Sequence, residues 1–259
     1  MKIHFYKYQG AGNDFVLIDN RNHQFDGSNN KLVNQMCDRR FGIGADGLML
    51  LENHDTLDFT MRYFNSDGRE ASMCGNGGRC IVAFAKRLGL INHSTAFMAV
   101  DGEHEASIDE KELVNLRMID VKQIEIGDDY YFLNTGSPHY VRFVDDINTI
   151  NVVEEGKKVR YNDRFRAEGT NVNFVEIVGN SIKVFTYERG VEDETLACGT
   201  GITASAICAG IKTNQTKASF PVLAKGGNLE VSFEKAGEGF TNIYLKGPAT
   251  YVFEGEFTI

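Results

Sequence analysis

Two cysteines stand at the head of short glycine-rich turns, Cys74 in MCGNGGRC and Cys198 in ACGTGITAS, and each turn leads straight into an apolar run. A thiol placed at a helix start is favoured as its thiolate, because the unpaired N–H groups of the first turn carry partial positive charge. The same N–H groups bind carboxylates. One such turn in each half of the chain suggests a pair of sulfurs held against a single small substrate. Either cysteine alone reads better as a small buried core residue, so the pair is the informative feature. Gly75, Gly77, Gly199 and Gly201 are expected to keep the two turns open to a ligand.

The elements that must position these thiols follow directly. The runs Ile81-Val82-Ala83-Phe84-Ala85, stopping near Gly89, and Ile202-Thr203-Ala204-Ser205-Ala206-Ile207, stopping near Gly210, read as buried central helices, apolar all round and closed by glycine. The two cysteines lie 124 positions apart, and the same offset lays Gly75 on Gly199, Gly77 on Gly201, Asn65 on Arg189, Gly47 on Asn171, Gly12 on Gly136 and Asn13 on Ser137. Repetition in one register points to a duplicated unit. The expectation is two similar domains whose loops meet in one cleft that holds the site.

A chain of 259 residues, 42% hydrophobic and 24% charged, can bury two cores of ordinary domain size. A formal charge of −9 offers no basic footprint for nucleic acid or an anionic membrane. No apolar run approaches the ~20 residues that span a bilayer, and the start MKIHFYKYQGAGNDF lacks a signal-peptide core, so a cytoplasmic protein is expected. Five cysteines, an odd number, fit free thiols in a reducing compartment. Cys37 and Cys208 read as core residues.

Alternating segments such as Ile3–Lys7, Phe59–Phe64 and Leu229–Phe233 predict strands, and Asn173–Val178 with Ile182–Tyr187 predicts a hairpin turning at Gly179-Asn180. A helix is expected to start at Ser28-Asn29-Asn30, to bury Leu32, Val33, Met36 and Cys37, and to end before Gly42. Few helices among many strands give an α+β class, with each domain's sheet curled around its own Cys-Gly-x-Gly helix. The domains are expected at residues 1–118, completed by a C-terminal strand at 249–259, and at 119–248.

Three segments, GAGNDFVLID at 10–19, MRYFNSDGREASMCGNGGRC at 61–80 and ERGVEDETLACGTG at 188–201, resemble the signature segments of diaminopimelate epimerase, and the likeness extends to the terminal GPATYVFEGEF. The resemblance implies a fold of two pseudo-symmetric domains, each a mixed barrel-like β-sheet wrapped around a central helix, and a cofactor-independent epimerase of lysine and peptidoglycan precursor synthesis, acting on a small amino-acid substrate as a homodimer. It makes Cys74 and Cys198 the acid/base pair. It implies that Gly75, Asn76, Gly199 and Thr200 hold the α-carboxylate, that Asn13, Asn65, Asn171 and Arg189 hold the rest of the substrate, and that Glu188 and His139 orient the amine and tune the thiols. Read singly, the asparagines are turn residues, Glu188-Arg189 is a solvated ion pair, and His139 after Pro138 is a surface histidine. Gly47 and Ser137 stand where some relatives carry glutamine and asparagine; Gly47 is therefore left out of the site, and Ser137 can contribute only its hydroxyl.

Proline racemase and hydroxyproline epimerase share the paired cysteines, but they typically read Cys-Gly-His where this chain reads Cys-Gly-Asn at Asn76, and proline has no distal carboxylate for Arg189. A PhzF-like isomerase lacks the cysteine pair. A redox sensor closing a Cys74–Cys198 disulfide is the reading from a different class. No metal site is expected, because Cys74 and Cys80 lack zinc-ligand spacing and no HExxH or paired CxxC is present.

Overall fold

The computed structural model describes all 259 residues, and its strands follow the apolar alternation of the sequence. Strand β1 (Lys2–Gly10) turns through Ala11 and Gly12, both at positive φ (53° and 85°), into the antiparallel β2 (Asn13–Asp19). Helix α1 (Asn30–Cys37) then carries the chain over to β3 (Gly47–Glu52), which pairs parallel with β2, as a parallel pair requires a crossover. Strands β4 (Phe59–Asn65) and β5 (Glu70–Ala71) follow as an antiparallel meander, and helix α2 (Gly75–Arg87) crosses to β6 (Ser94–Ala99), parallel to β4. The antiparallel β7 (Gly102–Ile108) and β8 (Leu113–Arg117) complete the series. The C-terminal strand Thr250–Thr258 lies antiparallel on β1.

The second half repeats this plan. Strands β9 (Ile124–Ile126), β10 (Tyr131–Asn134) and β11 (Pro138–Phe143) pair antiparallel, and helix α3 (Val152–Arg160) crosses to β12 (Asn171–Val178), parallel to β11. Antiparallel β13 (Ser181–Glu188) and β14 (Asp193–Thr195) lead to helix α4 (Gly199–Lys212), which crosses to β15 (Lys217–Ala224), parallel to β13. Strands β16 (Gly227–Ala236) and β17 (Gly239–Pro248) follow antiparallel, and the C-terminal strand is β18. By contacts the chain divides into one compact unit of Met1–Leu116 with Gly247–Ile259 and another of Arg117–Lys246. The class is α+β, with four α-helices among 18 strands in two repeated halves.

The central strands β2 and β3 are buried on both faces. Val16, Ile18, Leu48 and Leu50 point to α1 and pack with Leu32, Val33 and Met36. The alternate residues of the same strands, Phe15, Leu17, Met49 and Leu51, are fully buried on the opposite face, and α2 packs against β1, β2, β3 and β7, so the sheet curls around it. In the second unit α3 covers Val172, Phe174 and Tyr187, while α4 packs against β10 to β13, β15 and β16.

Helix α1 starts on the expected Asn29 cap, whose side chain accepts from the Leu32 N–H, and buries the four expected residues. The β12–β13 hairpin turns at Gly179-Asn180, with Val178 opposite Ser181. Helix α2 closes as expected on Gly89, at φ 71°. Two expectations need correction. Helix α4 does not stop near Gly210 but runs on to Lys212, and Asn214, at φ 55°, takes the left-handed position. Gly210 is there for packing, since a Cβ would lie 2.5 Å from Cζ of Phe233. Nor is α2 apolar all round, because Asn76 and Arg79 are buried in it. No helix is long and apolar enough to cross a membrane.

Candidate active site

In the first unit the strand register brings β3 and β4 to the same edge, with Gly47 opposite Asn65, just before the chain enters α2. Cys74 is the N-cap of α2, in extended backbone (φ −106°, ψ 150°), and its Sγ accepts the Gly77 N–H at 3.3 Å. A sulfur in the cap position thus satisfies one of the free donors of the first turn. Gly77 is tight as well as open: a Cβ there would come within 3.2 Å of that sulfur. Gly75 and Asn76 begin the helix, and Asn76 Nδ2 donates to Asn13 Oδ1 at 3.3 Å. Asn13 in turn donates to Asp46 at 2.6 Å. Asn65 is exposed at the end of β4, with its backbone closing the Ser66–Gly68 turn.

Beneath this row lies a charge cluster. Lys7 and Arg39 each reach Asp14 at 2.6 Å, and Arg39 also holds Asp46. Burial works against the Asp14 carboxylate, but the hydrogen bonds and charges of Arg39 and Lys7 outweigh it and hold the carboxyl down at about 2. Gly47 has no space for a side chain, since a Cβ would lie 2.5 Å from the Tyr63 ring and from the Phe64 carbonyl. Tyr63 therefore occupies the room that a longer residue at 47 would need.

In the second unit Cys198 is the N-cap of α4, 8% exposed, but its side chain makes no cap hydrogen bond. Its Sγ lies 3.4 Å from the Thr200 hydroxyl. Thr200 Oγ1 is 2.9 Å from His139 Nε2, and His139 Nδ1 is 3.0 Å from Asn173 Nδ2. The Asn173 amide has only one orientation that works, because its nitrogen also faces the Tyr140 carbonyl and its oxygen accepts from Thr186. Asn173 therefore donates to Nδ1, His139 carries its proton on Nε2 and donates to Thr200, and the Thr200 hydroxyl is left to serve the sulfur. His139 is fully buried, contrary to the surface position its sequence context suggests when read alone. Burial first, and the Arg189 charge second, push the imidazole down to about 3, so it is neutral at pH 7. The glycine at 201 serves packing too: a Cβ would stand 2.3 Å from Asn173 Oδ1 and 3.2 Å from the His139 ring.

Asn171 starts β12 and is almost wholly buried; its Nδ2 donates to Ser137 Oγ (2.9 Å) and the Pro138 carbonyl (3.0 Å), while Oδ1 accepts the Arg189 N–H (2.9 Å). Both its donors are thus engaged within the protein, leaving one lone pair for a ligand. Arg189 is exposed, and its guanidinium donates to neutral oxygens, the Glu168 carbonyl at 3.0 Å and Ser137 Oγ at 3.5 Å. Ser137 thereby steadies both Asn171 and Arg189. Glu188 is half-buried at the end of β13.

Burial pushes the thiols of Cys37 and Cys80 up to about 12 and that of Cys208 well above its ordinary range, so these three are protonated core residues. Sequence reasoning missed Asn173 and Arg79. Asn173 was hidden inside an apolar strand, and Arg79 inside a glycine turn; only the repeat could have flagged them, as polar residues opposite Met49 and Thr203 at the 124 offset.

Comparison with known proteins adds to this geometry. The family model for diaminopimelate epimerase matches residues 5–122 and 131–252. The chain is 54% identical over 252 residues to the diaminopimelate epimerase of Flavobacterium psychrophilum, covering 96% of this chain and 98% of that protein. It is 42% identical over 259 residues to that of Chlorobaculum tepidum, covering 96% and 99%. Among solved structures, a PhzF-family phenazine biosynthesis protein of Bacillus anthracis has the same fold (TM-score 0.76, 15% identity, all of both chains covered). So does a probable proline racemase of Agrobacterium radiobacter (TM-score 0.69, 13% identity, 99% and 93% covered). A model that matches both halves, together with relatives aligned over nearly the whole chain, settles the relationship: this chain belongs to the diaminopimelate epimerase family.

Proposed function

We propose that this isomerase converts LL-2,6-diaminopimelate to the meso isomer, without a cofactor, by a two-base exchange between Cys74 and Cys198. The observation that carries the reading is that each half places a cysteine at the N-cap of its buried crossover helix, in the same register of the repeat. One sulfur, as thiolate, takes the α-proton; the electron pair left on the α-carbon is delocalised into the α-carboxylate; the other sulfur, as thiol, returns a proton to the opposite face. Each turnover exchanges the protonation states of the pair. The reading requires the sulfurs to reach opposite faces of one α-carbon at ~3–3.5 Å in the reactive complex.

The α-carboxylate is assigned to the helix starts at Gly75-Asn76 and Gly199-Thr200, whose N–H groups stabilise the charge that develops there. Arg189 takes the distal carboxylate, a role favoured by a guanidinium that now rests on neutral oxygens. Asn13 and Asn65 are assigned to the substrate, Asn171 to both the substrate and the placement of Arg189, Glu188 to the amine, and His139 to the Cys198 thiol. A place in lysine and peptidoglycan precursor synthesis, a cytoplasmic setting and a homodimer without nucleic-acid or membrane partners belong to the same reading and rest on the family alone.

The test is proton NMR of reduced protein in deuterium oxide, without pyridoxal phosphate, with LL-diaminopimelate in one tube and L-proline in another. Meso isomer carrying α-deuterium in the first tube only is the expected result. Exchange of proline instead would move the assignment to the racemases of the same fold. Exchange in neither would leave the redox-sensor reading.

A further inference from the structure

The turn from β13 to β14 carries Arg189, and it closes on a residue whose backbone is poorly suited to it. Glu192 sits at φ 60°, its N–H donating to the Glu188 carbonyl at 2.8 Å. That is the left-handed region, which glycine enters freely and a longer side chain enters under strain. Such strain persists only where the surroundings over-determine the conformation. Here they act through the carboxylate. Glu192 Oε2 accepts from the Tyr161 hydroxyl at 2.8 Å and the Tyr187 hydroxyl at 2.9 Å, while Oε1 accepts from the Gly190 N–H at 3.1 Å and Arg160 Nε at 3.3 Å. Burial works against the Glu192 charge, but these four donors outweigh it and keep the carboxyl below its ordinary range.

Arg160, the last residue of α3, is the other half of the arrangement. While its Nε faces Glu192, its Nη1 donates to the carbonyls of Phe165 and Arg166, both at 3.3 Å, in the loop at 161–170. The same loop holds the Glu168 carbonyl on which the Arg189 guanidinium rests. Gly169 lies between the two arginines: at φ 79°, a Cβ there would stand 2.7 Å from Arg189 Cδ and 2.9 Å from Arg160 Cζ. Helix α3 is itself fixed, because Gly156 packs so closely on Tyr187 that a Cβ would come within 2.4 Å of it. One guanidinium, only 14% exposed, thus ties the turn that carries Arg189 to the loop that carries its acceptor. The Glu192 charge is taken up by Arg160, so Arg189 keeps its own for a ligand.

We propose that Glu192 and Arg160 form a clasp that fixes the Arg189 turn against the 161–170 loop before substrate binds, so that the guanidinium waits in place for a carboxylate. This rests on the assignment of Arg189 to the distal carboxylate and deepens it. Both are positioning residues, acting through Arg189. A cation already ordered loses less freedom when it binds, so the clasp acts on binding and leaves proton transfer alone.

The experiment pairs hydrogen–deuterium exchange of the ligand-free, reduced, full-length protein with steady-state kinetics on LL-diaminopimelate. Glu192→Gln keeps the shape of the side chain and removes its charge. Peptides covering 186–193 and 161–170 should then both exchange roughly 10-fold faster, with those of the first unit unchanged. KM should rise roughly 5–10-fold with kcat within about twofold, a loss smaller than that of Arg189 itself. Tyr161→Phe, which keeps the ring beside Arg160 and removes one donor, should move the same quantities the same way by less, and it decides the matter if the glutamine variant fails to fold. In an Arg189→Ala background Glu192→Gln should raise KM no further. Exchange at the wild-type rate in either segment would overturn the clasp, as would faster exchange with an unchanged KM where Arg189→Ala raises it, or a fall in kcat alone. If Arg189→Ala itself leaves KM unaltered, the distal-carboxylate reading falls, and the exchange rates by themselves then decide whether the clasp holds the turn.

Discussion

The two halves share a topology strand for strand, yet the surroundings of their thiols are unlike. Around Cys74 the polarity comes from the helix itself, through the Gly77 N–H and the buried Arg79. Around Cys198 it comes from the sheet, where β11 and β12 send His139 and Asn173 up to Thr200. At the 124 offset His139 faces Phe15, Asn173 faces Met49 and Arg79 faces Thr203, all fully buried. Phe15 and Met49 thus stand where the second half carries His139 and Asn173, and Arg79 stands where it carries a threonine, so the duplicated scaffold is kept while the polar surroundings of the two helix starts differ. A two-base reaction needs one base and one acid at the same moment.

The largest effects should come from the sulfurs themselves. Cys74→Ser and Cys198→Ser should each lower kcat/KM for LL-diaminopimelate by on the order of 10³-fold, because a hydroxyl is far too weak an acid for the exchange. Melting temperatures should change little, since serine is nearly the same size. If either variant keeps full turnover, the halves are unlike in a deeper sense, with only one of them catalytic.

Arg189 has no counterpart charge in the first half, where the equivalent residue is Asn65. Arg189→Ala should raise KM for the diacid roughly 10–100-fold, the loss expected for charge-assisted hydrogen bonds, with a smaller change in kcat. Steady-state kinetics against diaminopimelate and against an analogue lacking the distal carboxylate would separate the two cases; equal losses on both would remove Arg189 from that role.

The sequence made the repeat legible because the 124 offset carries element starts as well as motifs: Gly47 and Asn171 both open a strand, and Gly75 and Gly199 both open a helix. What it could not disclose was the far side of each glycine. Gly201 was read as clearance for a ligand, whereas the atoms nearest its missing Cβ belong to Asn173 and His139. Such contacts join residues about 30 and 60 positions away, and local pattern holds no trace of them. His139 was misread for the same reason when taken singly: a histidine after proline looks exposed until β12 and α4 close over it. Asn171 reads as a ligand holder from its motif, but tertiary folding engages both its donors.

That distinction can be tested with the paired glycines. Gly201→Ala should destabilise the protein by about 1–3 kcal/mol in urea unfolding, because Asn173 cannot retreat without losing its bonds to His139, Tyr140 and Thr186. Gly77→Ala meets the Cys74 sulfur at 3.2 Å and the flexible ends of Met49 and Met61 at 3.4 and 3.6 Å, and alanine's better helix propensity offsets the crowding, so its cost should stay within about 1 kcal/mol. Equal costs would mean that the sheet-borne relay does not constrain α4.

The finest test uses the one titrating member of that relay. The unfolded chain protonates His139 near its ordinary value of about 6.5, whereas the folded protein holds it down at about 3. Between those values the unfolded state binds the extra proton, so this residue's contribution is complete above pH 6.5 and is lost as the pH falls toward 3. At pH 5.5 the loss should be about 1.4 kcal/mol, one pH unit of linkage. Asp14 does not confuse the window, because a depressed carboxyl loses its contribution only below about 4. Urea unfolding at pH 7.5 and 5.5 gives the difference, and His139→Asn should shrink it by that amount. The equivalent place in the first half carries Phe15, which does not titrate. A His139→Asn variant with the wild-type pH dependence would mean that the imidazole is charged in the folded protein, and the Thr200 hydroxyl would then face Cys198 from a cation.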